Sequence, residues 1–231
     1  CVFDVYCIEI TVFSIFYEMV NGRKGMKKPK LVKQLDMWSK NDSLDDNLVN
    51  KEIVSMVMEP CMVNERRWDG CSFDHVDFSF CQIEQDEFLD CVFEHCNLSN
   101  LQMSAGSMIR CEFRDCKLLG WDISDSLLQD VLFKDCQLCY LNMVDSNLKT
   151  VSMLSCDLQD SRLYNLSQKD WVLEECNLLD ADWYKVSLAN VDISTCDLSN
   201  IRMDVDSIKG SIISEQQAVS LANLLGVTVK K

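Results

Sequence analysis

The chain has 231 residues, 37 of them acidic and 22 basic, for a formal net charge of −15 at pH 7. That balance speaks against direct binding of nucleic acid, and seven Gly with two Pro leave little room for long loops. Fourteen Cys would mark a disulfide framework in a small secreted domain, a reading that depends on where they fall in the sequence pattern.

Residues 1–45 read as an N-terminal extension. The apolar run from Ile8 to Phe16 is interrupted by Glu9, is too short for a membrane span and lacks the basic start of a signal peptide, so no membrane association is expected. Met26-Lys27-Lys28-Pro29 reads like a translation start, and residues 1–25 are therefore expected not to be native. Leu31, Leu35 and Trp38 are spaced for one short helix that would cap the N-terminal end of the repeats.

Residues 46–213 repeat every five positions without an insertion or deletion. From Phe73, Phe78, Ile83 and Phe88 to Met203, Ile208 and Ile213 the large apolar residues hold one register for 29 units, broken only by Gln168. Leu48, Ile53, Met58, Val63 and Trp68 extend it toward Asp46 in weaker form. A period of five fits neither a helix nor a strand and points to a solenoid whose units are stabilised by stacking.

Two positions before each apolar centre the residue is usually small or a thiol. Eleven of the 14 Cys occupy that place, Cys61 and Cys71 through Cys196, and only Cys1, Cys7 and Cys139 lie off it. Stacked thiols one strand spacing apart have parallel Cβ vectors, which suits packing better than bridging, so reduced, buried thiols in a cytoplasmic protein are expected. The paired spacing of a zinc site is missing. The residue between the two inward positions is typically polar, as in Cys96-Asn97-Leu98 and Cys156-Asp157-Leu158.

A second period of 20 is superposed on the first. Cys96, Cys116, Cys136, Cys156, Cys176 and Cys196 follow it, and so do Phe73, Phe93, Phe113 and Phe133. These motifs resemble the pentapeptide-repeat family. The resemblance implies an all-β fold, a right-handed quadrilateral parallel β-helix with four units per turn. On that basis 168 residues make 8.4 turns, a rod roughly 40 Å long at the strand spacing.

Residues 214–231 change character. Ser214 and Gln217 form a capping box, Ala218, Leu221, Ala222 and Leu225 follow at helical spacing, and Gly226 is a natural stop before a short strand from Val227 to Val229. A solenoid must hide its last open coil, so this C-terminal capping helix is expected to close it. The segment also resembles the C-terminus of Qnr-type quinolone-resistance proteins. That implies a homodimer through Ala218, Leu221, Ala222, Leu225, Val227 and Val229.

The charge excess belongs to the rod. Between Cys71 and Ile213 there are 25 acidic and 10 basic residues, a net of −15, while the remainder holds 12 of each. Over about 34 Å of rod this is one net charge per about 2.3 Å, against one per about 1.7 Å in duplex DNA. Asp90, Asp130 and Asp170 share one outward column, Asp160 and Asp180 a second, and Asp115 and Asp135 a third, forming a candidate partner-binding acidic face. His75 and His95 begin the third column, but stacked outward residues arise automatically from the period, and no metal is expected there. No nucleophile with a base, no phosphate-cradling Gly loop and no cofactor motif is present, so the chain is not expected to be an enzyme. The Qnr-type resemblance implies instead a DNA mimic that binds a type II topoisomerase, DNA gyrase or topoisomerase IV, and protects it from quinolones. The other reading is a structural or adaptor module for another protein. The unbroken register leaves no room for the projecting loops many Qnr proteins carry. Asp86 and Asp206 at inward positions, and Gln168 with Leu166 and Trp171 around it, stand out as irregularities.

Overall fold

The computed structural model describes residues 25–38, 47–58, 62–227 and 230. Cys1, Cys7, Asp46, Cys61 and Val229, each singled out by the sequence pattern, lie outside them, as do the side chains of Val63 and Leu225. The chain is a parallel β-solenoid of about eight turns. Strand pairing is parallel throughout the repeat with an offset of 20 residues, as in Phe113 on Phe133 and Met153 on Leu173. The superperiod is therefore the coil itself.

Four flat faces follow one another in each turn, led by Phe73, Phe78, Ile83 and Phe88. Their apolar centres from Phe73 to Leu163 are buried, and the inward small residues are buried beside them. Phe73, Phe93, Phe113 and Phe133 stack at ring-centroid distances of 4.5, 4.6 and 5.0 Å, close to the strand spacing that places them. The described in-register cysteines are free and buried. Seven of their thiols donate to main-chain carbonyls one turn back, as Cys91 Sγ does to Trp68 O and Cys136 Sγ to Phe113 O. Burial pushes the Cys91 thiol well above its ordinary value, which keeps it protonated.

Each face ends in a corner two residues after its centre, and the backbone there is left-handed. Asp90, Asp115, Asp125, Asp130, Asp135, Asp145, Asp160, Asp170 and Asp180 have φ between 50° and 60°, and Asn50, Asn100, Asn165, Asn190 and Asn200 share the conformation. Asp and Asn tolerate it better than other L-residues, so the coil itself selects them at corners. A second requirement acts one residue before the centre. Asp77, Asp122, Asp157 and Asp197 each accept a hydrogen bond from the backbone N–H two residues on, at 2.9–3.2 Å, which closes the turn.

The N-terminal extension does not form the helix expected from Leu31, Leu35 and Trp38. Its described residues, 25–38, form an extended strap that carries a two-residue strand, Asp36–Met37, paired with Lys51 and Glu52. Lys27 N–H donates to Asp130 Oδ1 at 3.2 Å and Lys30 N–H to Asp90 Oδ1 at 2.9 Å. Three extended residues cover about 10 Å, and two turns of coil rise about the same, so strap amides meet alternate coils in register. Two lysines, a proline and the carboxylates beneath favour this over a helix, whose amides would be turned onto its own carbonyls.

At the other end helix α1, Val205–Ile208, interrupts the last turn, and α2, Glu215–Leu221, follows the coil. Asp204 caps α1 through Ser207 N–H, which explains the irregular Asp206 as a first-turn residue of a helix. The capping box of Ser214 and Gln217 is formed. Gln217 Nε2 also donates to Ile193 O and Cys196 O, both at 2.8 Å, and Leu221 is buried against the core. The helix thus takes up carbonyls that the last coil would otherwise leave open.

Candidate acidic binding surface

The structure separates the seven carboxylates singled out by the column pattern. Asp90 and Asp130 are not available to a partner. They are 6% and 5% exposed, beneath the strap, and Asp90 also takes both Arg110 Nε and Nη2 at 2.6 and 2.7 Å. The physical reason is the strap itself, which uses the two carboxylates as acceptors for amides that have no strand partner. Burial alone would raise the Asp90 pKa, but the hydrogen bonds from Arg110 and Lys30 outweigh it and hold the carboxyl below its usual range.

Asp170, further along that corner, is exposed beside a depression of about 340 Å³ lined in part by Met26, Thr150, Gln168 and Trp171. Asp115 and Asp135 are exposed on the corner that follows the Phe73 face, where Lys134 Nζ approaches Asp135 at 3.9 Å. Asp160 and Asp180 are half-buried on the next corner, and Gln159 Nε2 donates to Asp160. Five of the seven therefore remain at the surface, divided among three corners. Periodicity missed Asp125 and Asp145, both exposed on the fourth corner, although they follow the same rule.

The third column is also reordered near its start. His75 and His95 do stack, with ring centroids 4.5 Å apart, but the carboxylate that meets both is Asp74 rather than Asp115. Asp74 Oδ1 lies 2.7 Å from His75 Nδ1 and 3.0 Å from His95 Nδ1.

The inward irregularities are structural. Asp86, fully buried, accepts from Trp68 Nε1 at 2.7 Å and Arg66 N–H at 2.8 Å, and desolvation raises its pKa in spite of those bonds. Around Gln168 the bulk is moved along the chain. Trp171, at a normally small position, reaches across to stack on Trp183 at 5.5 Å, and Gln168 turns to donate to Ser187 O. Of the C-terminal residues expected at a dimer contact, Ala218 is exposed, Leu221 buried, Ala222 half-buried and Val227 51% exposed, and Leu225 ends a 3₁₀ turn. Among the described residues no helix is long and apolar enough to cross a membrane.

A family model for the pentapeptide repeat region matches residues 86–163. No curated protein sequence matches the chain. Among solved structures, a trypsin-treated form of QnrB1, a plasmid-mediated fluoroquinolone resistance protein, is similar at 17% identity and a TM-score of 0.44, over 81% of this chain and 93% of that one. HetL, a pentapeptide-repeat protein involved in heterocyst differentiation regulation in Nostoc sp. strain PCC 7120, aligns at 11% identity and a TM-score of 0.30, over 87% and 96%.

Proposed function

We propose that this chain, a pentapeptide-repeat protein, is a DNA mimic that binds a type II topoisomerase, DNA gyrase or topoisomerase IV, in place of DNA and protects it from quinolones. The observation that carries the reading is the placement of charge. The whole net −15 sits between Cys71 and Ile213, on one stiff coil. Left-handed corners and turn closure account for Asp or Asn there, but not for the charge, because Asn satisfies both. The corners nevertheless carry nine Asp against five Asn. The surplus carboxylates make an elongated anionic surface that complements an Arg- and Lys-rich groove and steers association with it.

Binding through Asp115, Asp135, Asp160, Asp170 and Asp180 leaves Asp90 and Asp130 to hold the strap. The protein partner is the topoisomerase itself, and the C-terminal segment pairs two copies of the chain. One observation favours an adaptor instead: Phe80 and Tyr140 share a corner and are each 62% exposed, an apolar display that DNA does not offer.

The test is DNA supercoiling by purified gyrase, with and without ciprofloxacin, across a wide range of concentrations of this protein. Inhibition of supercoiling or rescue from the drug is expected. Neither effect at any concentration would overturn the topoisomerase reading and leave the adaptor.

A further inference from the structure

The paired histidines are not among the carboxylates proposed to meet the topoisomerase. Residues 20 apart occupy equivalent corners on successive turns, so His75 and His95 leave the coil with the same left-handed backbone, φ 55° and 54°, and their rings stack at 28°. Asp74, one residue before the corner, brings its Oδ1 within hydrogen-bond distance of both Nδ1 atoms. The nearest donor atoms of the three residues all lie within 4.8 Å of one another, and the two histidines are exposed while Asp74 is half-buried.

We propose that Asp74, His75 and His95 form a surface site for one divalent transition-metal cation of the Zn²⁺ class, bound by two imidazole nitrogens and one carboxylate oxygen, with solvent completing the coordination. Two nitrogens and an oxygen suit a borderline cation and disfavour Mg²⁺ or Ca²⁺, which take oxygen ligands. A tetrahedral ion with bonds of about 2.1 Å needs its ligand atoms about 3.4 Å apart. The observed Asp74–His75 and Asp74–His95 separations of 2.7 and 3.0 Å and the 4.8 Å bound on all three pairs bracket this value, so exposed side chains must rotate to seat the ion.

Charge supports a cation. Glu94 flanks the pair on the same face and Asp115 follows in the column, while Arg114, one turn beyond Glu94, bonds to Glu94 and Glu112.

The full chain is titrated with zinc chloride at pH 7.5, following the two imidazole resonances by NMR and the stoichiometry by calorimetry. One saturable equivalent is expected, lost in the His75→Ala/His95→Ala double variant, which retains every thiol as a control for cysteine binding. Asp74→Asn should weaken it about tenfold. Unshifted imidazole resonances at millimolar zinc, or equal uptake by the double variant, would overturn the assignment. The double variant changes only exposed side chains, and unaltered circular dichroism confirms its fold.

Discussion

Replacing Asp90 with Ala should release the N-terminal strap while leaving the coil intact. The carboxylate holds Arg110 at 2.6 and 2.7 Å and the Lys30 amide at 2.9 Å, and the Asp90 and Arg110 side chains are 8% and 18% exposed. Arg110 belongs to the coil and stays there when the strap opens, so the strap bond that is lost is the Lys30 amide to a charged carboxylate, worth about 1.5–3 kcal/mol. At 1.36 kcal/mol per tenfold, the open strap becomes about 13 to 160 times more populated. Limited trypsinolysis reads that population when opening is fast relative to cleavage. Cleavage after Lys27, Lys30 or Lys33 should accelerate by at least about tenfold, followed by mass spectrometry. Asp90→Asn keeps an acceptor and should fall between. Because the folded-state pKa of Asp90 is depressed, its contribution is present above the unfolded value of about 3.9 and is lost as pH falls through the folded value, so strap release should also appear in the wild type on acidification below about pH 4. An Asp90→Ala protein cleaved within twofold of the wild-type rate at neutral pH would refute the view that this carboxylate pins the strap.

Asp86→Ala leaves the Trp68 indole N–H unpaired in the core and should cost about 1–3 kcal/mol in urea denaturation. Phe113→Ala removes a central ring of the aromatic ladder and should cost about 3–5 kcal/mol by the same measurement. At the left-handed corner Asp125→Val should destabilise by about 1–2 kcal/mol while Asp125→Asn stays near neutral, a contrast that separates the backbone requirement from the charge. Deleting the chain after Ser214 should yield monomers in light scattering if the C-terminal segment pairs two copies, and an unchanged mass would refute that role.

The coil was legible because its constraints repeat. A large apolar residue at Phe73 must recur at Phe93 and Phe113 to continue a stack, so five-residue and 20-residue periods are visible in the chain itself. The strap is held by backbone amides on Asp90 and Asp130, and any sequence supplies amides, so nothing in residues 26–38 advertised it. The same blindness placed both carboxylates on an open face. Columns of Asp looked like a surface built for a partner, whereas the positive φ at each corner shows that part of the pattern is demanded by the backbone. Asp74 was overlooked beside His75 because periodicity compares equivalent positions and cannot see a neighbour one residue away that turns toward them. Pattern also located the trouble at Asp86 and Gln168 correctly without giving its cause, since an indole partner and a displaced Trp are long-range facts.

The most direct test of the anionic rod as a replacement for DNA is equilibrium competition. Labelled duplex DNA bound to gyrase is titrated with this protein at several salt concentrations, and the displaced fraction is read by fluorescence anisotropy. The account predicts displacement that weakens as salt rises, and weakens further when the surface residues Asp115, Asp135, Asp160, Asp170 and Asp180 are changed together to Asn, which the corner backbone tolerates. DNA that stays bound at saturating protein, or displacement indifferent to both salt and the five substitutions, would contradict it.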